Sequence, residues 1–154
     1  MPSLFVDLKP LLQDSEKCIT LRDIAESVQQ SGMEQCVDPT IIVWCMYFLA
    51  QYASLIGDQV VALSYVQWLE LHTCTLPEVY SLKAKALKRG GDLTGASYAM
   101  EGARQLDLQD RFLNWKSAKY MLRSGKIDQA ISILGLFTKV IFLFESHDLL
   151  EPSQ

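Results

Sequence analysis

Two short stretches of cations carry the spacing of a multiply charged anion site. Lys85, Lys88 and Arg89 fall at i, i+3 and i+4, and Lys116, Lys119 and Arg123 fall at i, i+3 and i+7, with Tyr120 beside them. On a helix each set shares one face. Guanidinium and ammonium groups converging on phosphate oxygens are the chemistry such faces support, and a tyrosine hydroxyl can add a hydrogen bond. No acid interrupts either stretch. A single stripe of this kind is ordinarily a solvated surface. Two stripes in register leave both readings open.

Other reactive residues do not assemble into a catalytic pattern. His72 and His147 have no serine, cysteine or carboxylate partner at a useful spacing. Gly90-Gly91-Asp92 lacks a preceding strand and the lysine–threonine ending of a phosphate loop, so it reads as a turn between helices. Asp107 and Asp110 suit the start of a helix better than an acid–base couple. Cys18, Cys36, Cys45 and Cys74 form neither CxxC pairs nor a Cys–His cluster, so no metal site is expected. Cys45 fits a small buried hydrophobe and the other three lie near helix ends, as reduced thiols of the cytosol or nucleus.

The charge balance singles out the same region. The net charge is −4, yet residues 83–126 hold ten Lys or Arg against four acids. A basic island in an acidic chain of 154 residues points to a local anionic partner. With 49% apolar residues the chain has material for one packed core and is not generally disordered. The opening MPSLFVDLKP lacks the features of a signal peptide, and no uninterrupted apolar stretch approaches the roughly 20 residues of a membrane span. A soluble protein inside the cell is the expectation.

The elements that must position the cations are set by a repeat. Gly57, Gly91 and Gly125 recur every 34 residues, as do Ala62, Ala96 and Ala130, and Ala50, Ala84 and Ala118. A 34-residue helix–turn–helix unit with small residues at the crossing and a glycine turn is the tetratricopeptide pattern. Alanine lets antiparallel helices approach closely, and glycine leaves the first helix through a conformation costly to other residues. The fold expected is an all-α solenoid of about three such units behind an N-terminal helix. Residues 1–38 form the lead, with a helix over about Thr20–Gln30 capped by Thr20 and Asp23, stopped at Ser31-Gly32 and striped by Leu21, Ile24, Ala25 and Val28. Residues 39–139 hold the repeats, at 39–74, 77–108 and 110–139, with helices over Thr40–Ile56, Gln59–Leu71, Glu78–Arg89, Leu93–Leu106, Asp110–Ser124 and Ile127–Lys139. Asp38-Pro39 and Pro77 mark helix starts. Trp44, Tyr47, Leu49 and Tyr52 supply bulk around Ala50. Leu93 and Ile127 suit core contacts at the start of their helices, and Val66, Met100 and Leu134 take the large apolar position of the second helix. Residues 140–154 form a divergent tail. In a solenoid, neighbouring first helices line the inner wall, so Lys85 and Lys119 should lie side by side.

Particular runs go beyond a generic repeat. Val79-Tyr80-Ser81-Leu82-Lys83-Ala84-Lys85, Lys88-Arg89-Gly90-Gly91-Asp92, Asp110-Arg111-Phe112-Leu113-Asn114, Ala118-Lys119-Tyr120-Met121-Leu122 and Phe137-Thr138-Lys139, with Pro2-Ser3-Leu4-Phe5, Asp7-Leu8 and Leu49-Ala50-Gln51-Tyr52, resemble the auxiliary subunit of the NatA-type N-terminal acetyltransferase. The resemblance covers residues 2–139. It implies a non-catalytic scaffold that wraps and positions a catalytic subunit, with the ribosome and nascent chain as further partners, in the cytoplasm. Acetyl-CoA would be bound by the catalytic partner and not by this chain. It also implies an inositol hexakisphosphate site whose ligands correspond to Lys85, Lys88, Arg89, Arg111, Lys116 and Tyr120, with Lys119 and Arg123 as secondary basic candidates. Arg89 stands where relatives often have histidine. Members of the family are several times longer, so a fragment is expected.

Two other functions compete. A peptide-binding adaptor would clamp a terminal carboxylate with Lys, Asn and Arg on three first helices, but repeat one offers Tyr47 and Gln51 instead. RNA could use the same cations, with Trp115 or Tyr120 stacking on bases.

Overall fold

The computed structural model describes residues 7, 8, 10, 12, 14–34 and 38–136. Among them the regular structure is helical and contains no strand. The helices are α1 (Ser15–Glu34), α2 (Pro39–Ile56), α3 (Gln59–His72), α4 (Pro77–Arg89), α5 (Leu93–Leu106), α6 (Arg111–Arg123) and α7 (Ile127–Gly135). Each packs on the next, and α2 also reaches α4, the stacking of an all-α repeat.

The 34-residue step is structural. Gly57, Gly91 and Gly125 have φ of 94°, 91° and 78°, the left-handed turn that separates the two helices of each unit. Asp58 and Asp92 follow two of these turns and cap the next helix, accepting from the Val61 and Gly95 amides at 3.0 and 2.7 Å. Ala50, Ala62, Ala84, Ala96 and Ala130 are fully buried and Ala118 is 1% exposed, so the crossings close on methyl groups. At the start of α2, Asp38 accepts from the Thr40 amide at 2.8 Å with Pro39 in the first turn, as expected. Asp110 accepts from the amides of Phe112 and Leu113 and caps α6. Asp107 instead follows the last residue of α5 and holds the connecting turn by accepting from the amides of Gln109 and Asp110, so of the two acids expected at a helix start only Asp110 is one.

Several expectations need correction. The first helix is longer than Thr20–Gln30 at both ends. Asp14 supplies the cap through the Glu16 amide, while the Thr20 hydroxyl donates to the Glu16 carbonyl from inside the helix. Ser31-Gly32 does not stop α1, because packing against α2 outweighs the local cost of glycine. Ile24 and Val28 are 55% and 38% exposed and line an open apolar groove between α1 and α2, with Trp44, Cys45 and Phe48 opposite. Cys45 is therefore half-buried, while Cys18 is buried in the first turns of α1. Leu93 and Ile127 are 41% and 58% exposed: the left-handed turn directs the first residue of the second helix outward. Val66 and Met100 are buried against the following repeat, whereas Leu134 in α7 is 37% exposed. The expected end of the last helix at Lys139, Cys36, His147 and the tail lie outside the described residues.

α2 is also more apolar than anticipated. Its 18 residues carry no charge and have a mean hydropathy of 1.4, enough by length and composition to cross a membrane. Its Val43, Met46, Tyr47, Leu49, Ala50, Tyr52 and Ala53 are buried against protein, which is the setting of a core helix.

Candidate functional site

The site lies where α4 and α6 adjoin. Tyr120 of α6 packs into one cluster with Ala84, Tyr80 and Leu87 of α4, which brings the polar faces of the two helices together. Both helices show the pattern that makes this possible: small or apolar residues on the buried side, cations on the other.

The cations crowd one another. The Lys85 ammonium is held below the ordinary lysine range by desolvation, then by Lys116, Arg89 and Lys88. Lys85 is nonetheless exposed, so its side chain reaches water while protein surrounds its charge. Lys88 is lowered by desolvation and by Arg123, Arg89, Lys116 and Lys119. Among the described residues, ion pairs engage Lys17, Arg22, Lys83 and Arg104, and none engages these six. Positive charge is left uncompensated there.

Aromatic rings support the group. The Lys88 ammonium lies 5.9 Å from the Tyr120 ring centroid, Lys116 5.0 Å from Phe112, and Lys119 4.8 Å from Trp115. Tyr120 is only 6% exposed, so its ring forms the floor, and burial raises its hydroxyl pKa against the lowering influence of Arg123 and Arg89.

The structure thus gathers Lys85, Lys88, Arg89, Lys116, Lys119, Tyr120 and Arg123. Among the charges acting on them, Lys116 comes first for Lys85 and Arg123 first for Lys88, with Lys119 also acting on Lys88. Arg111 is exposed in the first turn of α6, and it is absent from the charges acting on Lys85 and Lys88. Sequence reasoning missed Ser54, whose hydroxyl accepts from Arg89 Nη1 at 2.8 Å and so already engages one of the expected ligands. The signal was present, because Ser54 precedes Arg89 by the same interval as Lys88 precedes Arg123.

Among the described residues no cluster of His, Cys, Asp or Glu could hold a metal ion. His72 stacks on Trp68, with ring centroids 3.9 Å apart.

Comparison with known proteins gives a consistent family. A family model for the N-terminal acetyltransferase A auxiliary subunit matches residues 1–151. N-alpha-acetyltransferase 16, NatA auxiliary subunit, of Mus musculus is 36% identical over 148 residues, covering 90% of this chain and 17% of the mouse protein. The N-terminal acetyltransferase A complex auxiliary subunit NAA15 of Arabidopsis thaliana is 33% identical over 147 residues, 90% of this chain and 16% of that protein. The solved structure of Naa15/Naa10 bound to HypK-THB superposes with a TM-score of 0.83 at 33% identity, over 91% of this chain and 21% of that one. This chain spans about a sixth of the length of these curated relatives.

Proposed function

The chain belongs to the family of N-terminal acetyltransferase A auxiliary subunits, and on that premise we propose that it is a non-catalytic scaffold segment that carries a polyanion site between α4 and α6. Its partner in this reading is a catalytic acetyltransferase subunit, which binds acetyl-CoA, in cytoplasmic complexes that meet nascent chains at the ribosome. Repeated helices suit this work, because they present a long rigid surface without needing a reactive centre.

The observation that carries the polyanion reading is the cation group itself. Lys85, Lys88, Lys116, Lys119 and Arg123 repel one another and have no carboxylate among them. A compact ligand with several phosphates, of the inositol hexakisphosphate class, offsets that repulsion with charge-assisted hydrogen bonds. Lys85, Lys88, Lys116 and Arg123 are its ligands in this proposal, Arg89 contributing while tied to Ser54, and Tyr120 supplying the floor. Arg111 belongs to the periphery of the site.

Isothermal titration with inositol hexakisphosphate tests it. Lys88→Glu and Lys116→Glu should each weaken binding by at least about tenfold, or 1.4 kcal/mol. Equal heats from wild type and both variants would remove the site. Co-purification from cells tests the scaffold role, with an acetyltransferase subunit expected to accompany the chain.

RNA remains a second reading because Trp115 is 49% exposed beside Lys116 and Lys119, a combination that can stack on a base. Binding with a steep salt dependence and no preference for inositol phosphate would favour it. The peptide-clamp reading loses ground, since Tyr47 of repeat one is buried to 5% exposure.

A further inference from the structure

A cavity of about 420 Å³ opens between the second helices of the last two repeats, α5 and α7, where α6 packs on both. Met121 of α6 and Ile133 of α7, each 6% exposed, supply its apolar lining. Glu101, Arg104 and Lys126 bring charge to the walls, and the exposed Gln129 and Ser132 stand at the rim.

The three charges are not equivalent. Glu101 accepts from Arg104 Nε and Nη2, from the buried Ser117 hydroxyl and from Gln105, so it and Arg104 neutralise each other. None of the ion pairs among the described residues includes Lys126. Its ammonium is nevertheless held in place, 2.9 Å from the Ser97 hydroxyl and 3.5 Å from the centroid of the Tyr98 ring. The fully buried Ser97 hydroxyl donates to the Thr94 carbonyl and so presents its oxygen to Lys126 as an acceptor. One unit of positive charge lines the cavity, fixed and uncompensated.

The repeat shows that this arrangement belongs to one junction. One 34-residue step earlier, Lys126 is Asp92, Arg104 is Glu70 and Ser97 is Leu63. Asp92 caps its own helix, and Glu70 pairs with Lys83 at 2.9 Å. The sign of the charge is reversed between neighbouring junctions, and with lysine at the cap position α7 has no side-chain cap. Repeats stack with either sign, so packing does not account for the change.

We propose that the cavity between α5 and α7 recognises an acidic peptide segment, with one glutamate or aspartate carboxylate seated on Lys126. The volume falls in the range of small-ligand sites and takes a short extended segment. A single fixed cation calls for a single carboxylate, unlike the crowded cations of α4 and α6. Met121 and Ile133 take the methylene arm, while the Gln129 amide and Ser132 hydroxyl at the open rim can both donate to and accept from a peptide backbone. Because Lys126 is already immobilised, little side-chain freedom is lost on binding. The site stands whether or not the α4 and α6 cations hold a polyanion.

Nuclear magnetic resonance of the full chain, titrated at fixed ionic strength with a capped tripeptide carrying a central glutamate, tests this. The amides of Ser97, Tyr98, Lys126 and Gln129 should shift together and saturably at or below about 1 mM peptide. The glutamine version of the peptide should bind at least about tenfold more weakly. Lys126→Gln, which loses the charge but can still donate to Ser97, should weaken the glutamate peptide to the same degree. Ser132→Glu, an exposed change at the rim, should repel that peptide with Lys126 intact. An excess of inositol hexakisphosphate should leave the peptide's dissociation constant unchanged. Equal affinity for the two peptides, or for wild type and Lys126→Gln, would overturn the proposal, as would no saturable shift at these amides. Displacement by inositol hexakisphosphate, with peptide shifts in α4 and α6, would overturn it by assigning the peptide to those cations. Free glutarate binding as tightly as the peptide would overturn the peptide assignment in favour of a small acid.

Discussion

A glycine and an alanine do most of the local specification in each repeat. At Gly91, φ is 91° and an added Cβ would meet nothing within 4 Å, so the demand is on the backbone alone. Gly91→Ala should therefore cost about 1–2 kcal/mol through the left-handed conformation. Gly91→Asn should cost less, because asparagine tolerates that region, and thermal unfolding of the pair would separate strain from steric conflict. The alanines were equally legible from spacing, since a methyl group at a helix crossing leaves little choice of residue. The partners of the cations were not. Arg89 and Arg123 are equivalent in sequence, but one donates to a hydroxyl and the other adds to the positive charge around Lys88, which depends on what the preceding helix presents.

At the scale of the helix pair, α5 and α6 are joined by a polar network. Glu101 accepts from Arg104 at 2.6 Å, from the fully buried Ser117 hydroxyl at 2.7 Å and from Gln105 at 2.7 Å. Asn114, 2% exposed, donates to the carbonyls of Leu108 and Asp110 and so fixes the entry to α6. Burial pushes the Glu101 carboxyl up, but the bonds from Arg104, Ser117 and Gln105 prevail and hold it below its ordinary 4.5. A depressed folded pKa gives stability that is present above 4.5 and lost as pH falls through the lowered value. Glu101→Gln should destabilise the chain by about 1–2 kcal/mol at pH 7. The gap from wild type should then narrow below pH 4.5, as denaturant melts at several pH values would record. The same scale explains the misjudged α1: local signals place a stop at Ser31-Gly32, but the neighbouring α2 rewards continuation.

For the molecule as a whole, stability is carried from each repeat to the next. Met100 is 1% exposed and packs with Leu113 and Tyr120 of the following helix, whereas the equivalent Leu134 is 37% exposed. Met100→Ala should cost about 2–5 kcal/mol and Leu134→Ala well under half of that, a difference readable in urea melts. The sequence by itself determined the period, the turns, the helix crossings and the set of cations, because each follows from the chemistry of single residues at a fixed spacing. Tertiary structure alone decided which cations meet. Packing of Tyr120 against α4 brings the two cation sets together, and among their charges Lys116 acts most on Lys85 and Arg123 most on Lys88, an order that the list of cations by itself does not contain.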